Sequence, residues 1–323
     1  MIKLRELLES TTQLPILLDG GMGSMIEDCG INVKTPLWGS YAILSPEGRE
    51  TNRKIHQSYF DAGAQIIQTN THNTLLHNCR KFVDFYDIDF KLLGIDPGNS
   101  IEQQSIDLHK YIIRNALEDG YGVSSMGTPI IVANCIGSID APYATVGSVT
   151  TDDIARIFAV EIQARREISE DLIKFETLTT REEIEGLSIA IRNVNIDNFA
   201  IGLSCTTDGR TFGGVSMADV SDKLSRYNPQ AYFIQCTRFD LVELALIDLY
   251  EAVGDSIPVG VYANDGRGWD VNNMEWVGER VTPSNYAEHA AIWHDAGAKI
   301  IGGCCGTTPE HIGELRRVFV SES

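Results

Sequence analysis

Eight short apolar or β-branched runs, each bounded by turn residues and each followed by a helix-length segment, recur along the 323-residue chain. They are Ile16 to Gly20, Gln65 to Asn70, Pro129 to Asn134, Asp171 to Glu176, Asn198 to Ser204, Ala231 to Gln235, Pro258 to Ala263 and Lys299 to Gly303. All read as strands buried on both faces. Helix starts between them are marked by Thr150 with Asp153 as a capping box, by Thr282-Pro283 and by Thr308-Pro309. The Ala-Gly-Ala turns at Ala62 to Ala64 and Ala296 to Ala298 read as helix endings. Strand then helix, eight times over, predicts an α/β fold of the closed (β/α)8 TIM-barrel type, for which about 250 residues is typical. No linker, low-complexity tract or charge run interrupts the pattern, so residues 1–323 are read as one domain with loop insertions. The main irregularity is Leu75 to Gly98, where Phe82, Phe85, Tyr86 and Phe90 predict a longer loop or short helix packed over a barrel end.

The net charge of −19 disfavours nucleic acid and anionic membrane surfaces as partners. No stretch reaches the roughly 18 to 20 uncharged apolar residues of a membrane helix, and the start lacks a signal-peptide core, so a cytoplasmic location is expected. Seven cysteines, an odd count that includes the adjacent Cys304 and Cys305, do not form a disulfide framework and leave thiols for metal or catalysis.

A barrel of this kind builds its active site at the carboxyl ends of its strands. The runs finish in Asp19-Gly20-Gly21-Met22-Gly23, Thr69-Asn70-Thr71-His72, Glu176-Thr177 and Asn264-Asp265-Gly266, and cysteines follow the others: Cys135, Cys205, Cys236 and the Cys304-Cys305 pair. Thiols gathered on one face read as a soft-metal site. A catalytic zinc ion takes three protein ligands and leaves one position open. Adjacent cysteines reach one ion only where the backbone kinks, which Gly302, Gly303 and Gly306 permit. Spacing leaves the third thiol open between Cys236 and Cys205, and leaves open as well that the pair are buried small hydrophobes. The Gly20 to Gly23 turn is no P-loop, because the Gly-Lys-Ser/Thr is missing.

The stretch Ile300-Ile301-Gly302-Gly303-Cys304-Cys305-Gly306-Thr307-Thr308-Pro309-Glu310-His311-Ile312 closely resembles the signature of the zinc-dependent homocysteine S-methyltransferase family. That family includes S-methylmethionine, betaine and selenocysteine methyltransferases. Leu18 to Ser24, Leu37-Trp38, Gln68 to Thr71, Gly137-Ser138, Pro142-Tyr143, Phe175 to Thr177 and Val261 to Asn264 resemble further family motifs, in the family's order. The match spans nearly the whole chain.

The resemblance implies a Zn2+ site on Cys236, Cys304 and Cys305, with Cys205 the runner-up for the first. The sixth run, Phe233-Ile234-Gln235-Cys236, carries glutamine where the family has asparagine. It implies homocysteine as methyl acceptor and methionine as product, with the ammonium group held by Asp19 and Glu176 beside Gly20, Gly21 and Asn70. Trp38 would face an onium donor by a cation-π contact. The positions carrying tyrosines in the betaine enzymes are Asn73 and Thr177 here, which favours a sulfonium such as S-methylmethionine. Methylation of another thiol or selenol, methyl delivery by a separate corrinoid protein, since no cobalamin module follows Ser323, and a non-catalytic zinc-holding barrel are the alternatives. His56, His109, His289 and His294 read as surface or helix-face residues and Cys29 and Cys79 as packing residues; His72 lies closer to the mouth, and the sequence assigns no role to it or to Asp265.

Overall fold

The computed structural model describes residues 3–11, 15–123, 130–140, 143–270 and 275–320. Pro129 and Pro142 lie outside the described residues. The eight expected strands are present: β1 (Ile16–Leu17), β2 (Ile66–Gln68), β3 (Ile131–Ile136), β4 (Leu172–Leu178), β5 (Phe199–Leu203), β6 (Tyr232–Arg238), β7 (Val259–Asn264) and β8 (Ile300–Gly303). Each pairs in parallel with its sequence neighbour from β2 to β8, and β1 pairs with β8 at Ile16↔Ile300 and Leu17↔Ile301. A single parallel bridge, Leu18↔Ile66, joins β1 to β2 and closes the sheet into a barrel.

The first two strands are shorter than expected. The Asp19 carboxylate, not a neighbouring strand, takes the Gln68 amide, at 2.8 Å, and the ladder stops there. β3, β4 and β6 run further, so Cys135 and Cys236 lie within strands instead of following them.

Side chains alternate between two apolar compartments. Ile16, Leu18, Ile66, Ala133, Leu172, Phe233 and Tyr262 fill the inside, closed below by Leu4 and Leu7 of the helix Leu4–Ser10. The outward residues pack on surrounding helices whose starts are capped: Ser45 before Pro46, Ser100, Thr150, Thr180, Ser216, and Thr282 before Pro283. No helix of the described residues is long and apolar enough to cross a membrane.

Leu75 to Gly98 contains the short helix that the sequence suggests. It forms a helix, Leu76–Phe85, and a 3-10 turn, Phe90–Leu93. Cys79, Phe82 and Leu93 pack against Leu108 and Ile112 of the helix Ile101–Tyr121 and complete an apolar cluster of their own with Leu37 and Ile43. Two histidines also depart from the surface reading. His56 is fully buried, and burial pushes its imidazole down to about 4. His109 is buried and hydrogen-bonded to Glu161, at 2.8 Å. Cys29 is exposed and packs nothing away, whereas Cys79 is buried as expected.

Candidate active site

Two irregular strand ends shape the carboxyl-side mouth. Register slips between Phe175 and Leu178 on β4 and between Gln235 and Arg238 on β6. At each bulge a non-glycine residue adopts left-handed backbone, Thr177 at φ 55° and Cys236 at φ 45°. Such a conformation costs on the order of 1–3 kcal/mol and persists where surroundings hold it. Here Asn264 Nδ2 donates to the Cys236 carbonyl at 3.0 Å. The bulges bring Glu176 and Cys236 into the mouth.

The vicinal cysteines follow β8 in a tight turn. Cys304 N donates to Ala263 O at 2.8 Å, Thr307 Oγ1 donates back to the Cys304 carbonyl at 2.7 Å, and Asp265 N donates to the Cys305 carbonyl at 3.1 Å. Gly306 sits at φ 78°, and any side chain there would strike the Asp265 carboxylate, so both its conformation and its contacts require glycine. Asp265, unexplained by the sequence, is fully buried and ion-paired to Arg267 at 2.8 Å and Arg280 at 3.4 Å. It braces this turn.

The turn sets the Cys304 and Cys305 sulfurs 4.0 Å apart, and with Cys236 all three sulfurs lie within 4.8 Å of one another. Thiolates at 2.3 Å from one tetrahedral ion stand about 3.8 Å apart, so the cluster fits a soft divalent cation after small side-chain shifts. Hydrogen bonds from Cys236 and Cys304 pull the Cys305 thiol well below its usual range, while the Cys236 and Cys304 thiols are held well above theirs. Cys205 does not join the cluster; it is buried among residues facing the helices, and burial raises its thiol. Cys135 stays apart as well, in the interior near Glu176.

Beneath the thiols runs a buried polar chain. Asp19, fully buried, accepts from Gln68 N and from Gln68 Nε2, both at 2.8 Å. Burial pushes its carboxyl up to about 7 against those two donors. Lys174 Nζ donates to Gln68 Oε1, to the Tyr262 hydroxyl and to Glu176 Oε1, the last at 2.7 Å. Glu176 Oε2 faces His72 Nδ1 at 3.0 Å. Burial would raise the Glu176 carboxyl, yet Lys174 and His72 hold it down at about 2. The mouth therefore presents an ionised carboxylate, 8 % exposed, beside three thiols.

Of the other predicted residues, Gly20 and Gly21 pack directly on the cysteine turn: Gly21 N donates to Thr307, and side chains on either would collide with Tyr59, Ser24 or the Cys304 carbonyl. Asn70 Nδ2 donates to Gly39 O at 3.0 Å, and its buried Oδ1 has no partner among the described residues. Trp38, at φ 47°, lies against Gly23 and edge-on to His72, with ring centroids 6.2 Å apart. Sequence reasoning missed Lys174, Gln235 and Tyr262 as a connected group. The available signal was a lysine two residues before Glu176 inside a buried strand, Leu172–Leu178.

Residues 16–319 match the family model described as homocysteine S-methyltransferase. The chain is similar to homocysteine S-methyltransferase 3 of Arabidopsis thaliana, 26% identical with 95% of this chain and 90% of the relative covered. It is similar to a selenocysteine Se-methyltransferase of Brassica oleracea var. italica, 24% identical over 98% of this chain and 92% of the relative. Its fold matches the crystal structure of the metallated form of the homocysteine methyltransferase MmuM from Escherichia coli, with a TM-score of 0.76, 24% identity, and 98% and 99% of the two chains covered.

Proposed function

Because the chain belongs to the homocysteine S-methyltransferase family and is a methyltransferase of homocysteine, we propose that it takes its methyl group from a sulfonium such as S-methylmethionine and works with one Zn2+ on Cys236, Cys304 and Cys305. The observation that carries this reading is the convergence of three sulfurs within 4.8 Å at the mouth that also holds an ionised, nearly buried Glu176. A zinc ion bound there would keep a substrate thiol in its thiolate form at neutral pH, where a free thiol of pKa near 8.5 is ionised only to a few per cent.

The protein's own residues orient the acceptor. Glu176 and Asp19 provide acceptors for the ammonium of homocysteine, since a carboxylate in a dry site makes strong charge-assisted hydrogen bonds. The Gly20-Gly21 turn packs against the cysteine turn and so fixes the carboxylate end of the pocket relative to the sulfurs. Asn70, with one buried acceptor unused, completes the polar lining. In the transfer the homocysteine sulfur forms a bond to the methyl carbon as the donor's sulfur–carbon bond breaks, and that electron pair neutralises the sulfonium. No protein base acts in this step.

The test of the acceptor half is to add homocysteine to metal-loaded protein. X-ray absorption should show a fourth sulfur around the metal, and calorimetry in two buffers should show release of close to one proton near pH 7. An unchanged shell with four protein ligands would make the site structural.

Trp38, edge-on to His72 at the mouth, is the aromatic surface for an onium donor. A sulfonium loses its charge as the methyl leaves, so a loose cation-π contact holds it without over-stabilising the ground state. S-methylmethionine is expected to exceed betaine by at least about tenfold in kcat/KM, about 1.4 kcal/mol, and Trp38→Ala to lower that rate with metal content intact. Steady-state kinetics with both donors checks this, and betaine as the better donor would reverse the assignment. A selenol acceptor is the second reading, favoured by the similarity to the Brassica selenocysteine enzyme; selenocysteine in place of homocysteine in the same assay distinguishes the two.

A further inference from the structure

We propose that Lys174 is a positioning residue whose ammonium sets the direction of the hydrogen bonds in the barrel interior, so that one glutamine N–H faces the Asp19 carboxylate and another faces the Cys236 sulfur. The inference rests on the reading that the thiol cluster holds a metal ion.

An ammonium only donates. Lys174, with a side chain 1% exposed, donates to Gln68 Oε1, Glu176 Oε1 and the Tyr262 hydroxyl. Its Nζ also lies 3.8 Å from the centre of the Tyr262 ring, which keeps it on this side of the barrel. Because the Gln68 carbonyl is turned to Lys174, the Gln68 amide nitrogen is turned to Asp19 Oδ1, at 2.8 Å. The same logic runs upward. Tyr262 accepts from Lys174 and so has its own proton to give, and it gives it to Gln235 Oε1. Glu176 Oε1, at 3.3 Å, is the more distant acceptor. With its oxygen fixed inward, Gln235 presents Nε2 to Cys236 Sγ at 3.9 Å. Reversed, the carboxamide would set its carbonyl against the sulfur, two acceptors with no proton between them. A cation at the centre therefore sends donors outward to an acceptor on each side, the Asp19 carboxyl group below and the Cys236 sulfur above. An N–H directed at a metal-ligating thiolate stabilises its anionic form, and partners of this kind change metal affinity by roughly 10- to 100-fold.

The test compares metal-loaded wild type with Gln235→Leu, Tyr262→Phe, the double variant Gln235→Leu/Tyr262→Phe, and Lys174→Met. Zinc is titrated against a chromophoric chelator, and thiolate-to-cobalt charge-transfer bands are recorded for the Co2+-substituted proteins. Gln235→Leu should weaken zinc about tenfold and move the band to lower energy, as the thiolate loses its donor. Tyr262→Phe should move both in the same direction. The double variant should be no weaker than Gln235→Leu alone, since both substitutions interrupt one chain. Lys174→Met should reproduce the spectral shift and also raise the dissociation constant for homocysteine. If Lys174→Met does not fold, the other three variants decide. Wild-type affinity and spectrum in Gln235→Leu, or additive losses in the double variant, would overturn the proposal. Wild-type protein that takes up no metal would instead overturn the metal reading beneath it.

Discussion

Serine at position 236, 304 or 305 is expected to reduce bound metal from about one ion per chain to less than a tenth and to lower methyl transfer by at least about a hundredfold, while Cys205→Ser keeps both. The three sulfurs form one cluster within 4.8 Å, and Cys205 lies outside it. A site built from soft ligands loses most of its affinity for a borderline-soft ion when one of three thiolates becomes a neutral hydroxyl. Thermal unfolding should separate this from a folding defect, because Cys304 and Cys305 are only partly buried and serine is nearly the same size. Metal analysis of the four variants checks it. Retention of metal by Cys236→Ser together with its loss in Cys205→Ser would reassign the third ligand to Cys205.

The largest effect on stability is expected far from the mouth. Glu161, on the helix Thr151–Arg166, is fully buried and accepts from His109 Nε2, from Arg165 and from the Leu76 amide at 2.8 Å. Arg165 in turn donates to the Thr74 and Cys135 carbonyls, so the cluster ties the outer helices to the loop after β2 and to β3. Glu161→Leu preserves volume but leaves a buried guanidinium and a buried imidazole without their anion. Breaking such a group costs about 3–5 kcal/mol, and at roughly 2 °C per kcal/mol for a chain of this length the midpoint should fall by about 6–10 °C. The pH dependence has a definite sign. Burial would raise the Glu161 carboxyl, but His109 and Arg165 hold it at about 2, below its unfolded value of 4.5. Its contribution is therefore present above pH 4.5 and is lost as pH falls from there towards 2. The stability gap between wild type and Glu161→Leu should be full at pH 7 and shrink below pH 4.5. Denaturant unfolding at several pH values measures it, and equal stability at pH 7 would show that the cluster contributes nothing net.

Much of the barrel was legible in the chain because the physics that specifies it is local. The runs from Ile16 to Gly303 are short, largely apolar and buried, and several helix starts carry a capping residue such as Thr150 or Thr282 in the position that satisfies free N–H groups. The cysteine signature was also readable, since the glycines around Cys304 and Cys305 announce a turn that few other residues could make. Strand ends were not readable to the residue. Whether β2 stops at Gln68 depends on a carboxylate from β1, and whether β6 passes Cys236 depends on a bulge held by Asn264 from β7.

What local pattern determined, then, was the order of strands and helices and the kinds of chemical group delivered to the mouth. Only the tertiary structure decided which of those groups meet. Five cysteines lie near strand ends, yet alternation along the strands and two left-handed kinks place three sulfurs together and turn Cys205 towards the helices. His109 sits on an amphipathic helix like a surface residue, yet a buried Glu161 drawn from another helix supplies its partner. Lys174 shares its strand with one partner, Glu176, but its other partners, Gln68 and Tyr262, come from two distant strands. A buried charge is settled by the groups brought to it across the fold, from residues as far as 106 positions away in the chain, and such long-range pairing leaves no trace in local periodicity.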